Sequence, residues 1–146
     1  MNEQDQLNQF LIDFAEFLAK YYSDAFDSID TKLKDGYAIV TIYGAKESLL
    51  EISSDGAEIT ILFSESHWHI GSFIGLEINS ICSNTVRDVF DVLDGKMGTY
   101  SYWDGDAPLG GGTFYLADGI SEKLLKRYDL IKLKTWGDEL EVQKLT

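Results

Sequence analysis

The apolar positions of the chain change period several times, and each change marks an element. From Asp5 to Tyr22, residues Leu7, Phe10, Leu11, Phe14, Leu18 and Tyr21 recur at spacings of three and four, which predicts an amphipathic helix with one stripe turned to a core. Phe10, Phe14 and Phe17 lie on or beside that stripe, where their bulk serves packing. The next segment, SDAFDSIDTKLKDG, spaces Asp24, Asp27, Asp30 and Asp35 around only Phe26, Ile29 and Leu33. It reads as a solvated connection with room for a short helical turn.

After Gly36 the pattern becomes that of strands. Tyr37 to Tyr43 is rich in β-branched and aromatic residues, and Leu49 to Ser53 meets Ala57 to Phe63 across Asp55-Gly56, a dipeptide that tolerates the positive φ of a hairpin turn. Ile59, Ile61 and Phe63 alternate with Glu58, Thr60 and Leu62, as expected of a half-buried antiparallel strand. An uninterrupted strand would put Glu65, His67 and His69 on the face of Ile59, Ile61 and Phe63. The charge on Glu65 argues instead for a bulge or turn at Ser64 to Ser66 that re-aims the chain. Beyond it, His67 and His69 share one face and Trp68 takes the other.

Helical period returns from Leu76 to Leu93, with Ile78, Ile81, Cys82, Val86, Val89, Phe90 and Leu93 on one stripe, Asn79 and Asn84 as candidate N-caps, and Gly95 just past the C-terminus. Met97 to Trp103 and Thr113 to Ala117 read as strands joined by a flexible loop, DGDAPLGGG. Ser121 to Tyr128 reads as a short helix. Leu130 to Trp136 and Glu139 to Leu145 form a last hairpin about Gly137-Asp138. This order predicts an α+β fold in a single domain spanning residues 1–146. It has a mainly antiparallel twisted sheet of about six to eight strands, two main helices and one short one.

Composition adds constraints. Apolar residues make up 45% of the chain, enough to drive folding despite the charge. With 25 acidic and 12 basic residues the net charge is −13, which disfavours direct binding to nucleic acid or to an anionic membrane and favours a basic protein partner. Residues 1–36 carry eight acids and three bases, 37–96 nine and three, and 97–146 eight and six, so the acidic surface lies mainly in the first two thirds. A single cysteine, Cys82, excludes a disulfide within the chain and fits a reducing, cytoplasmic setting. Its place on an apolar stripe marks it as a small core residue rather than a reactive thiol. The N-terminus shows no signal-peptide pattern, and no apolar run is long enough to span a membrane.

Candidate chemistry is sparse. Glu65, His67 and His69 could supply three metal ligands, which keeps a small metal-binding protein or metal-dependent enzyme as the alternative reading. A third histidine or a second cysteine to strengthen it is missing from the sequence. Ser64 and Ser66 beside His67 lack the elbow of a nucleophilic serine, the Asp spacing of residues 24–35 does not match a calcium loop, and the glycines at 110–112 are followed by a strand rather than the helix of a phosphate-binding loop. No cofactor is expected, and a non-enzymatic protein is the reading that remains. Trp103, Asp104 and Asp106 at the mouth of the glycine-rich loop, together with His67, Trp68 and His69, are the candidate partner-binding residues, because interfaces favour aromatic anchors beside complementary charge. Burial of both tryptophans in the core is the competing reading. A homodimer formed through an edge strand is a further possibility.

The run EITILFSESHWHI, a strand ending in His-x-His, is followed by a helix ending VLDGK, a strand pair with GGG and a closing KLKTWGDEL. This pattern, over roughly residues 50–140, resembles small bacterial immunity proteins that accompany polymorphic toxins. The resemblance implies a single-domain cytoplasmic protein that binds and neutralises a cognate toxin domain, often a nuclease. It carries over no catalytic residues and gives weight only to His67, Trp68, His69 and Trp136 as pattern positions, which fold maintenance alone would also explain.

Overall fold

The computed structural model describes residues 2–71, 76–120, 127–128 and 130–143. The predicted short helix at Ser121 to Tyr128 lies almost wholly outside the described residues. The fold is α+β, with two α-helices and nine strands among the described residues, the strands arranged as two antiparallel sheets.

Helix α1 (Glu3–Tyr21) begins at Asn2, whose side chain accepts the Asp5 N–H, and Glu3 and Asp5 in its first turn complement the helix dipole. Its stripe buries Leu7, Leu11, Phe14 and Leu18 as the spacing predicts, while Phe17 and Tyr21 remain exposed. Strands β1 (Ser28–Lys34), β2 (Tyr37–Tyr43), β3 (Leu49–Ser53), β4 (Ile59–Phe63) and β5 (Ser66–Ile70) follow as an antiparallel meander, in that order across the first sheet. Ala38, Val40, Ile42, Leu50, Ile52, Ile59, Ile61 and Phe63 turn inward, all essentially inaccessible, beneath α1. A polar network sets the register of α1 on this sheet. Gln4 donates to the Ser54 carbonyl at 2.6 Å and accepts the Ala57 N–H at 2.8 Å, while Asn8 donates to the Gly36 carbonyl at 2.8 Å.

Strand β1 corrects the expectation of a solvated connection over residues 23–36. Only Ser23–Ala25 is a 3-10 turn, and Ser28–Lys34 is an edge strand. Its exposed, charged sequence hides its type because it has only one neighbour, β2, and the Asp35-Gly36 pair that joins them has positive φ at both residues, 52° and 85°, the requirement of a tight hairpin.

Helix α2 (Ile78–Leu93) packs beside α1 through edge-on contacts of Phe90 with Phe14 and Tyr22. Neither predicted asparagine caps it. Glu77 holds that position without a side-chain cap, and Asn79 and Asn84 lie inside the helix. Gly95 does end it, at φ 73°.

The second sheet runs β7-β6-β8-β9, built from β6 (Met97–Asp104), β7 (Ala107–Tyr115), β8 (Leu130–Thr135) and β9 (Asp138–Gln143). The predicted flexible loop DGDAPLGGG is largely strand: only Gly105 and Asp106 separate β6 from β7, and Gly110, Gly111 and Gly112 pair with Tyr102, Ser101 and Tyr100. The glycines tolerate sheet structure because aromatic rings fill the space that side chains would occupy. A Cβ at Gly110 would come within 2.6 Å of Tyr102 Oη, and one at Gly112 within 2.8 Å of Tyr100 Oη.

Trp136, at the β8–β9 turn, joins the sheets. Its indole fills the space above Gly44, stacks obliquely on Phe63, and donates from Nε1 to the Ala25 carbonyl at 2.7 Å. The neighbouring Gly137 N–H donates to Ser48 Oγ at 2.9 Å.

Candidate functional site

The β4–β5 hairpin is the structural frame of the candidate site. Ser64 and Glu65 form its turn, with Ser64 at φ 58° and Phe63 paired to Ser66, so the predicted break at Ser64 to Ser66 is a two-residue hairpin turn that sends the chain back along β4. Cross-strand pairing then fixes the faces. His67 lies opposite Leu62 and His69 opposite Thr60, on the outer side, while Trp68 lies opposite Ile61 and faces inward.

Both histidines are exposed and their rings meet edge to face at 5.3 Å. His69 Nδ1 lies 3.1 Å from Glu58 Oε1 and 2.9 Å from Thr60 Oγ1. Beside them, Tyr37, Ile39, Glu51, Ser53, Thr60 and Leu62 line a shallow groove of about 230 Å³ on the outer face of the first sheet, and His67 closes one side of it. This face mixes apolar, hydroxyl and charged groups.

Glu65, His67 and His69 are not brought together as a ligand set. Glu65 sits at the turn, ahead of the strand that carries the histidines, and among the described residues no group of three His, Cys, Asp or Glu side chains converges to hold a metal ion. The carboxylate that does meet the His pair is Glu58, just ahead of β4, and its ion pair is with His69.

Trp68 is half-buried against the core, and its Nε1–H donates to Asp88 Oδ2 at 3.0 Å. Asp88, on α2, is buried, and its other oxygen accepts from Arg87 Nε at 3.1 Å and Nη2 at 3.0 Å. The adjacent carboxylate raises the Arg87 pKa above its already high ordinary value. Tyr115 of β7 stands near this cluster, and its phenol is pushed above the usual tyrosine range, first by burial and then by the negative charges of Asp88 and Asp91. The cluster ties β5, α2 and β7 together. Sequence reading missed it because Asp88 follows Arg87 on a helix, where acid beside base reads as a solvated pair; its register one turn from Thr85, also buried, was the available signal.

Trp103 belongs to the other sheet. Its Nε1–H donates to Ser101 Oγ at 3.0 Å, and Lys132 Nζ lies 4.1 Å from its ring centre, so the ring is half-covered by neighbours. Asp104 and Asp106 flank the β6–β7 turn and are exposed. The structure therefore separates the candidates into an outward pair, His67 and His69, an inward Trp68, and the distinct group of Trp103, Asp104 and Asp106. Cys82 is half-buried at the core margin, and burial pushes its thiol pKa up.

A second cleft, of about 260 Å³, lies where the β4–β5 hairpin meets the second sheet and is lined by Glu65, Ser66, His67, Ser101, Pro108 and the three glycines. Among the described residues no helix is long and apolar enough to cross a membrane. No family model matches the chain, and neither a curated protein nor a solved structure matches it.

Proposed function

We propose that this chain is a non-enzymatic, acidic interaction protein of the cytoplasm that binds and neutralises a basic toxin domain, a nuclease being the best fit. The observation that carries the reading is an acidic surface left uncompensated. The chain has a net charge of −13, and the exposed carboxylates Glu3, Asp5, Asp13 and Glu16 of α1 form no ion pair among the described residues. A nuclease cleft built for phosphates is basic, and carboxylates can occupy it in their place. The resemblance of residues 50–140 to immunity proteins supports the same reading.

The test is to read the neighbouring gene and co-express the chain with a toxin-like domain if that gene encodes one. Protection of the host from that domain is the expected result, with an association rate that falls about tenfold or more as salt rises from low to physiological strength. Loss of viability despite co-expression would overturn the reading, and binding indifferent to salt would remove its electrostatic basis.

A further inference from the structure

Helix α1 carries two apolar stripes, and the fold seals only one of them. Leu7, Leu11 and Leu18 are inaccessible against the first sheet. Phe10, Phe14, Phe17 and Tyr21 form a second stripe further round the helix. α2 meets this stripe at Phe14, through Phe90, and Phe10 is partly buried beside it. Phe17 and Tyr21 stand in solvent, 46% and 64% exposed. The four rings lie as two pairs along the helix, Phe10 with Phe14 at 5.7 Å and Phe17 with Tyr21 at 5.1 Å between centroids. A shallow depression of about 540 Å³ opens along the first pair, lined by Gln6, Gln9, Phe10, Asp13 and Phe14.

Spacing defines the shape that fits this surface. The rings follow one another at steps of four, three and four residues, the steps of a coiled-coil seam, where side chains of a facing helix drop between those of the first. Charge defines its chemistry. Glu3 stands seven residues before Phe10, on the line of the stripe, and Asp13 borders it on the solvent side with Glu16 beyond. Gln9 donates to Asp13 Oδ1 at 2.9 Å and holds that carboxylate at the lip of the depression. The helix carries four acids, Glu3, Asp5, Asp13 and Glu16, against one base, Lys20, whose Nζ lies 5.2 Å from the centre of the Tyr21 ring.

We infer that this aromatic stripe of α1 docks a basic amphipathic helix of the partner, its apolar residues seated between the rings and its lysine or arginine flank against Glu3 and Asp13. The inference rests on the acidic-interaction reading above and gives that reading its surface. Exposed aromatic side chains supply the anchors, and the neighbouring carboxylates select the partner and speed its encounter. A second copy of this chain is the poorer occupant, because its α1 would bring the same four acids to the same place.

The probe is an end-capped peptide of leucine and lysine, about five helical turns long, with leucine at heptad spacing, titrated into the ¹⁵N-labelled full chain. The expected result is a set of amide shifts centred on α1 between Phe10 and Tyr21. A peptide of the same composition scrambled to abolish the leucine stripe should bind about tenfold more weakly, since it keeps the charge and loses the seam. Replacing Phe17→Ala together with Tyr21→Ala should weaken the unscrambled peptide by a similar factor, with the urea midpoint held because both rings are exposed. Asp13→Lys should weaken it as well. Equal binding of the two peptides, or undiminished binding to the Phe17→Ala/Tyr21→Ala chain, would overturn the seam and leave the acidic-interaction reading standing. Shifts centred elsewhere with α1 unmoved would do the same. No shift at millimolar peptide also overturns the seam, while protection from the toxin domain judges the broader reading independently. Concentration-dependent broadening of the α1 signals without peptide, accompanied by dimer mass in sedimentation, would overturn it in favour of a second copy.

Discussion

The two sheets are built from similar numbers of residues but are stabilised very differently. In the first, β2, β3 and β4 each alternate cleanly, and every inward side chain from Ala38 to Phe63 is sealed beneath α1. In the second, among the residues whose side chains are described, Ile131 and Met97 are the buried apolar ones, alongside the polar Thr99 and Ser101, and Leu109, Tyr115 and Leu140 are exposed. The second sheet is held by discrete anchors, chiefly Trp136, the Trp68–Asp88–Arg87 cluster and the Ser66–Gly112 contact. Apolar burial scales with area removed from water, so stability concentrates in the first sheet. The second can adjust without losing that core.

The strongest way to break this contrast is in the first core. Phe63→Ala removes an inaccessible ring that also touches Trp136, and should cost about 3–5 kcal/mol, measured as a fall in the urea midpoint with both sheets unfolding together. Trp136→Ala should cost less, about 2–3 kcal/mol, because the indole is only half-buried and the first core survives. Its signature is selective: amide exchange should quicken in β6 and β8 and hold in β2 to β4. Uniform acceleration would mean that the sheets open as one unit, and the comparison would fail.

The Asp88 cluster sharpens the same point. Asp88→Ala leaves the Trp68 N–H without its acceptor in a buried setting and should destabilise by about 1–3 kcal/mol in thermal or urea unfolding. Asp88→Asn keeps an oxygen for Trp68 and should recover much of that loss. Equal effects of the two substitutions would show that Arg87, rather than the indole, dominates the cluster.

The same contrast governs what could be read from sequence. Where burial is deep and one-sided, period alone identifies the element: the stripe of α1, the alternation of β4 and the positive-φ glycine after α2 all stand where their patterns put them. Where strands are held by neighbours rather than by their own apolar content, the pattern is silent. β1 looks like solvated loop because it is an exposed edge, and Gly110 to Gly112 look like linker because the rings that complete their packing come from Tyr100 and Tyr102 on another strand. Site residues divide likewise. The shared face of His67 and His69 and the opposite face of Trp68 follow from strand alternation, whereas the acceptor of the Trp68 N–H, Asp88, lies twenty residues away on a helix.

Smaller effects test the margins of the two regions. Burial raises the Cys82 thiol, so its alkylation at mildly alkaline pH should be slower than that of a free cysteine and should reach the free rate on unfolding in urea. A native rate equal to the free one would show that the margin of α2 opens more readily than its packing suggests.

The least effect is expected from Tyr115, at the seam between β7 and α2. Its folded-state pKa is raised above the unfolded value, so the unfolded chain releases this proton first as pH climbs. The stability it contributes is complete below the ordinary tyrosine range of about 10 and is lost as pH rises through that value towards the higher folded one. Tyr115 is partly exposed, so solvent screening keeps the effect small. Seven other tyrosines titrate in the same range, and the informative quantity is therefore the difference between the native chain and Tyr115→Phe. Urea midpoints tracked from about pH 8 to 11 should show a shallower alkaline decline in the variant. Parallel declines would mean that neither burial nor the charges of Asp88 and Asp91 raise the pKa of the phenol, and that β7 meets α2 less closely than that shift requires.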